Sequence, residues 1–327
     1  MIDYSIVIPT IGRSSLYELL ESLAAGDGPL PVRIVIVDDR KRGAALDISR
    51  APAPLVPLIR VLQSGGRGPA AARNRGWRAA TTPWVVFVDD DVAVRPNWRA
   101  DLQRDLSGAP PNVGGIQGRI EVPLPPSRPA TDWERNVRGL MHSVWITADM
   151  AYRRDVLTAT GGFDERFKRA YREDADLAIR AKALGYTLIF GTREALHPVR
   201  PADRWISVRL QRGNADDILM RAIHGPSWRR RAGSPRGRFA LHAATVVAAG
   251  VTMIGALERR NDVALLGALA WLGLTAEFTW RRVEPGPRTA DEVVTMAATS
   301  AVIPFAAVYH KLRGVVMLRR LLDGEAA

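Results

Sequence analysis

The 327-residue chain contains no cysteine. That excludes a disulfide framework, a zinc–thiolate centre and a cysteine nucleophile, and it is consistent with a reducing compartment. The chain opens Met1-Ile2-Asp3-Tyr4 and runs straight into an apolar strand. The basic and apolar regions of a secretory leader are missing, so no signal peptide is expected. Neither a Walker A loop nor a G-x-G-x-x-G turn occurs, which leaves P-loop and dinucleotide binding without support. The formal net charge is +12, but no recognisable nucleic-acid module accompanies it, so no nucleic-acid partner is expected. The excess is mostly arginine. It suits anionic lipid or phosphate-bearing substrates, and equally the codon bias of a GC-rich genome.

What is present is organised around Thr82-Pro83-Trp84-Val85-Val86-Phe87-Val88-Asp89-Asp90-Asp91. A short β-branched apolar run bounded by turn signals predicts a strand buried on both faces. Three consecutive carboxylates cannot follow it into a core, so the chain must emerge there into a cleft or a solvated turn. Ligands of open α/β sheets bind at the carboxyl ends of the strands, and hard divalent cations prefer carboxylate oxygen. Tyr4–Thr10 predicts an earlier strand stopped at Pro9, followed by an amphipathic helix capped by Ser14 or Ser15. Val32–Val37 predicts a second strand closing on Asp38-Asp39. A glycine-rich turn from Gly65 through Gly68 then leads into an arginine-bearing helix containing Arg73, suited to phosphate. The fold class expected is α/β, built from βαβ units with a polar rim at one sheet edge.

Several motifs in this order resemble family 2 glycosyltransferases of the GT-A fold, a Rossmann-like nucleotide-diphospho-sugar transferase domain. They are Val7-Ile8-Pro9-Thr10, Val37-Asp38-Asp39, Ala72-Arg73-Asn74-Arg75-Gly76, Phe87-Val88-Asp89-Asp90-Asp91, Gly161-Gly162-Phe163-Asp164-Glu165 and Glu173-Asp174. The resemblance covers roughly residues 4 to 220. It implies that Pro9, Thr10, Arg13 and either Asp38 or Asp39 flank the nucleotide, with Gly68 and Arg73 on the phosphate side. Asp89 and Asp91 become the DxD pair holding Mn²⁺ or Mg²⁺, and Asp90 touches ribose or sugar. Asp174 becomes the general base of an inverting transfer, with Glu173 beside it. His197, just past the strand at Thr187–Phe190, becomes either a further metal ligand or a structural histidine. Arg209 and Arg212 either reach the diphosphate or decorate a helix. Pro201 stands where processive members carry the Gln of Gln-x-x-Arg-Trp, so Arg204-Trp205 implies a non-processive enzyme. The implied partners are a UDP-, GDP- or dTDP-sugar and a glycan or lipid-linked acceptor. A sugar nucleotidyltransferase would need a Gly-rich basic signature after the first strand, which Ile11-Gly12-Arg13 does not supply. A non-catalytic scaffold would have no use for a base.

The stretch Leu124–Pro129 predicts a mobile loop over the cleft, with Trp133, His142 and Trp145 near it as sugar contacts or as packing. Residues 1–220 are expected to form the transferase domain, 221–238 a basic linker and 239–327 a helical region. Phe239–Leu257 is long enough to span a bilayer, Val263–Ala276 is apolar but short, and Ala290–Val308 is a third apolar helix ahead of a basic amphipathic tail. In-plane association with the cytoplasmic face of a membrane is favoured over true spans and over a soluble oligomer interface.

Overall fold

The structure is a computed structural model that describes residues 1–322; residues 323–327, the end of the expected helical region, lie outside it. The strands are β1 (Tyr4–Thr10), β2 (Arg33–Asp38), β3 (Ile59–Gln63), β4 (Trp84–Val88), β5 (Ala93–Val94), β6 (Val113–Glu121), β7 (Asp149–Arg153) and β8 (Thr187–Leu196). Between them lie α1 (Ser15–Ala25), α2 (Pro69–Ala79), α3 (Trp98–Ser107), α4 (Asp132–Arg138), α5 (Arg154–Thr160) and α6 (Glu173–Ala183). After β8 the chain is helical: α7 (Ile206–Arg209), α8 (Gly213–His224), α9 (Trp228–Arg231), α10 (Phe239–Leu257), α11 (Asn261–Val283) and α12 (Ala290–Leu322).

The chain divides into two compact units. The first comprises Met1–Pro123, Arg138–Val199 and Arg231–Gly233, and it holds the whole sheet. Its strand order is β3-β2-β1-β4-β7-β6-β8-β5. The parallel set β3, β2, β1 and β4 grows outward on both sides of β1, which creates a switch point between neighbouring βαβ crossovers. β7 is antiparallel between β4 and β6 and brings Asp149 opposite Val88. The sequence does not distinguish β7 from its surroundings, because Asp149-Met150-Ala151-Tyr152 breaks the apolar pattern with a carboxylate. That carboxylate is nonetheless fully buried. It accepts hydrogen bonds from Trp98 Nε1 at 2.7 Å and Arg193 Nε at 2.8 Å.

One face of the sheet packs Val7, Val35, Val37, Val85 and Phe87 against side chains of α2 and α6, including Ala72, Leu177 and Ala181. The alternate residues Ile6, Ile8, Ile34, Ile36 and Val86 are buried as well, so the central strands are covered on both faces. Burial of this kind fixes register, because slipping one residue would exchange the two faces.

The second unit comprises Leu124–Val137, Arg200–Arg230 and the chain from Ser234 onward. Leu124–Pro129 is irregular, as its prolines require, and leads into α4. α11 runs past Ala276 to Val283, because its later charges find partners. Glu277 pairs with Arg238 and Arg281, and Arg282 Nη2 donates to Asp132 Oδ2 at 2.8 Å. α12 continues through Pro304 into the basic tail, where the sequence suggests two separate segments.

Candidate active site

The carboxyl ends of β1, β2 and β4 deliver Thr10, Asp38-Asp39 and Asp89-Asp90-Asp91 to one edge of the first unit. Asp90, expected at the ribose or sugar, is only 2% exposed. Its two oxygens accept from Thr10 Oγ1 at 2.6 Å and Arg13 Nη1 at 2.7 Å. Thr10, Arg13 and Asp90 thus form a brace that ties the end of β1 to the end of β4. Pro9 lies within β1 at the residue before this brace.

Asp38 and Asp39 perform different tasks. Asp38 is buried and grips the guanidinium fork of Arg40, with Nε at 2.8 Å and Nη2 at 2.7 Å. The Arg40 hydrogen bonds hold its carboxyl below the usual range, against the effect of burial. Asp39 accepts from Ser64 Oγ at 2.6 Å and from the Gly68 amide at 3.0 Å, anchoring the glycine-rich turn. Gly68 has φ +99°, and a Cβ there would lie 2.6 Å from the Lys168 carbonyl oxygen. Only glycine fits both the conformation and the space.

Arg73, expected to meet phosphate, is a buried strut. Nη1 donates to Glu173 Oε1 and Nη2 to Asp89 Oδ1, both at 2.7 Å. The guanidinium thereby joins the DxD segment after β4 to the first residue of α6. Asn74, next on α2, donates to the Phe163 carbonyl at 2.8 Å and accepts from the Phe163 amide at 2.9 Å. It holds the Gly161–Glu165 turn against the same helix. The role of Asn74 comes only from its neighbours in space.

The start of α6 collects acidic charge. Glu173 is 2% exposed, and Asp174 beside it is half-buried. Burial, then the charge of Asp174, pushes Glu173 up to about 8, with Arg73 opposing. Asp174 is raised in the same way, chiefly by burial, while its hydrogen bond from the Ala175 amide and Arg73 and Arg172 work against the rise. The preceding residue, Arg172, has φ +79°, a left-handed conformation uncommon for a residue with a side chain. Its guanidinium stacks over Tyr171, 4.3 Å from the ring centroid.

Asp91 and His197 come together from β4 and β8. His197 Nε2 lies 3.6 Å from Asp91 Oδ1, and both side chains are nearly buried. A carboxylate and an imidazole facing each other at that separation fit two donor positions of a divalent cation. The His197 Nδ1 has no hydrogen-bond partner, so its ring lacks the outer contact that usually orients a ligating histidine. Among the described residues no three acidic or histidine side chains gather as a metal cage.

The remaining candidates make other contacts. Trp145 is buried with φ +64°, stacks on Phe190 at 5.4 Å and receives Lys182 over its ring, so it packs rather than lining a sugar site. His142 is exposed in a short 3₁₀ turn. Trp133 belongs to the second unit, where its Nε1 donates to the Arg200 carbonyl at 2.7 Å. Arg209 and Arg212 are also in that unit; Arg209 is taken up by Asp203, with Nη1 at 2.9 Å from Oδ1.

Comparison with known proteins bears on the family and the fold. The model of "Glycosyl transferase family 2" matches residues 5–176, from β1 to just past the Glu173-Asp174 pair. The "Pre-mycofactocin glycosyltransferase" of Mycobacterium tuberculosis is 29% identical over 209 residues, which are 57% of this chain and 40% of that protein. The "Validoxylamine A glucosyltransferase" of Streptomyces hygroscopicus subsp. limoneus is 27% identical over 217 residues, 55% of this chain and 48% of that protein. The chain therefore spans less than half the length of these relatives. Among solved structures, the mannosyltransferase PcManGT from Pyrobaculum calidifontis, in complex with GDP-Man and Mn²⁺, superposes with a TM-score of 0.53. The superposition covers 95% of this chain and 86% of that one at 16% identity, a likeness of fold. With the family model matched over more than half its length, the chain has the GT-A fold and belongs to glycosyl transferase family 2.

Proposed function

We propose that this family member is an inverting, metal-dependent glycosyltransferase that moves a sugar from a nucleotide-sugar to a hydroxyl of a glycan or lipid-linked acceptor. The observation that carries the reading is the strut Asp89–Arg73–Glu173, with Asp174 at its end. A buried arginine spent on two carboxylates stabilises little by itself, because desolvation offsets the ionic attraction. Its value here is geometric: it sets the DxD segment and the start of α6 at a fixed separation.

In the reaction, Asp174 accepts the proton of the attacking acceptor hydroxyl. Its raised affinity for protons makes it a better base than an exposed aspartate. Glu173, clamped by Arg73, orients the first turn of α6 and so the base. Asp91 and His197, with Asp89 of the same segment, would hold a divalent cation, which would supply charge neutralisation for the leaving nucleoside diphosphate. The Asp39-anchored turn around Gly68 and the Thr10–Asp90–Arg13 brace shape the nucleotide side. Displacement from the face opposite the diphosphate inverts the anomeric centre. Pro201 in place of the processive glutamine supports addition of a single sugar.

The test is a thermal-shift and hydrolysis screen of UDP-, GDP- and dTDP-sugars with Mn²⁺ or Mg²⁺, on wild type and Asp91→Ala. One donor should stabilise the wild type only with metal, by mass action, and the variant should lose that shift. If no nucleotide-sugar shifts the wild type at millimolar concentration, the reading fails.

A further inference from the structure

The second unit contains a helical pair that is built inside out. α10 and α11 form an antiparallel hairpin joined by Glu258-Arg259-Arg260. Small residues meet where the helices touch. A Cβ on Gly255 would lie 2.6 Å from the Ala264 amide nitrogen, and one on Gly267 would lie 2.6 Å from that of Thr252. The large side chains point outward instead: Val247, Met253, Leu257, Leu265, Leu266 and Leu272 are all more than half exposed. In water that distribution would be costly, since each buried leucine contributes about 1.5–3 kcal/mol and these forgo it. Small residues between helices and large ones outside is the packing expected where the surroundings are hydrocarbon.

Length and charge agree. α10 has 19 residues and α11 has 23, about 28 and 34 Å at helical rise, against a hydrocarbon core of about 30 Å. α10 carries no charged side chain, and α11 none from Val263 to Ala276. The hairpin tip balances Arg259 and Arg260 against Glu258 and Asp262. Its base is basic: Arg229, Arg230, Arg231, Arg236 and Arg238 precede α10, and Arg281, Arg282 and Arg288 close α11.

α12 differs, although it too is long and apolar enough to cross a membrane. Two points on it, twelve residues apart in sequence, both sit at the hairpin base. Thr299 Oγ1 and Ser300 Oγ accept from Arg282 Nη1 at 2.7 and 3.0 Å, while Lys311 Nζ lies 3.5 Å from the Phe239 ring centroid. α12 therefore crosses the base rather than running beside the hairpin. Further along, a Cβ on Gly314 would lie 2.8 Å from Ala215 Cα, so α12 is backed by α8. Its exposed apolar residues Val294, Val302, Phe305, Tyr309, Leu312 and Val316 recur at helical spacing along one stripe. A one-sided apolar stripe on a helix with a basic end suits an interface plane.

We propose that the α10–α11 hairpin crosses a lipid bilayer twice, that α12 lies in the membrane surface at its base, and that the arginine-rich base faces the cytoplasm. The in-plane arrangement favoured by the sequence is kept for α12 alone. The proposal does not depend on donor or acceptor.

The absence of cysteine makes the test direct. Single-cysteine variants Asn261→Cys and Glu258→Cys at the tip, Ser107→Cys at the end of α3 and Arg320→Cys near the end of α12 are expressed in a bacterial host. Each is treated with a membrane-impermeant maleimide, in intact spheroplasts and after lysis. The expected result is tip labelling in intact spheroplasts, with Ser107→Cys and Arg320→Cys labelled only after lysis. Tip and Ser107→Cys reacting from the same side would overturn the double crossing. Arg320→Cys reacting with the tip would overturn the placement of α12. Recovery of the wild-type chain in the soluble fraction, alone or as an assembly of copies, would overturn the bilayer as the covering partner.

Discussion

The start of α6 and the α10–α11 hairpin both invert the ordinary distribution of polarity, in opposite senses. Around α6, Arg73, Glu173 and Asp89 bring charge into the interior of the first unit. On the hairpin, Leu257, Leu265 and Leu266 turn large apolar surface outward. Each departure is unfavourable for a soluble fold considered alone. The first is compensated by ion pairs and hydrogen bonds, and the bilayer proposed above would supply a hydrocarbon partner for the second. Departures from the usual rule mark where a protein acts rather than where it is merely stable.

The comparison sharpens most at Asp174. Asp174→Asn keeps the shape and removes the base, so transfer should fall by about 10²- to 10⁴-fold. Donor-induced thermal shift should persist; single-turnover kinetics alongside calorimetry separates the two, and a variant retaining near-wild-type turnover would remove Asp174 from the role of base. Arg73→Ala should act on stability as well as rate. It leaves two carboxylates without their partner and should cost about 3–5 kcal/mol in denaturant unfolding. If the strut is real, the loss shrinks when Glu173→Gln is added, and a double-mutant cycle measures that coupling.

On the hairpin, Leu272→Arg places a charge near the middle of α11 and should cost about 3 kcal/mol of insertion. Fractionation should then show a smaller membrane share, while Leu272→Ala leaves the share nearly unchanged. Equal behaviour of the two variants would break the contrast between a lipid-facing and a water-facing surface.

The smallest effect expected is on the pH dependence. Glu173 is raised above its unfolded value, to about 8. The folded state therefore holds an extra proton between about pH 4.5 and 8. The stability this contributes is fully present below that window and is lost as pH rises through 8. Unfolding by urea at pH 5.5 and 8.5 should show the wild type losing more stability than Glu173→Gln over that interval. Activity should move the other way, rising with pH as the neighbouring base Asp174 gives up its proton. A wild type and Glu173→Gln with parallel stability profiles would remove Glu173 as the source.

Much of the first unit was legible in the sequence because burial writes a short-range pattern. Apolar runs of four to seven residues ending in Asp or Pro locate β1, β2 and β4, and the carboxylates after them locate the rim. Strand β7 escaped, since Asp149 looks exposed in sequence and is neutralised by Arg193, 44 positions later. The same limit separated residue type from task at the site. Asp38, Asp39, Asp89 and Asp90 are alike in sequence, yet one grips Arg40, one anchors the Gly68 turn, one meets the Arg73 strut and one braces Thr10 and Arg13. In the C-terminal part, composition predicted apolar helices but misjudged their ends, because Glu277 and Arg282 continue a helix only where partners wait for them.

By itself, then, the sequence determined the α/β class, the order of the central strands' ends, the acidic rim and the apolar character of the last three helices. These follow from hydrophobic periodicity and turn chemistry, which act between near neighbours. Tertiary structure alone decided which carboxylate meets which cation, that Arg73 is a strut, that Asp91 faces His197, and that α12 crosses the base of a hairpin built inside out. Those outcomes depend on contacts between residues far apart in the chain, and a linear pattern carries no record of which distant partner will neutralise a given charge.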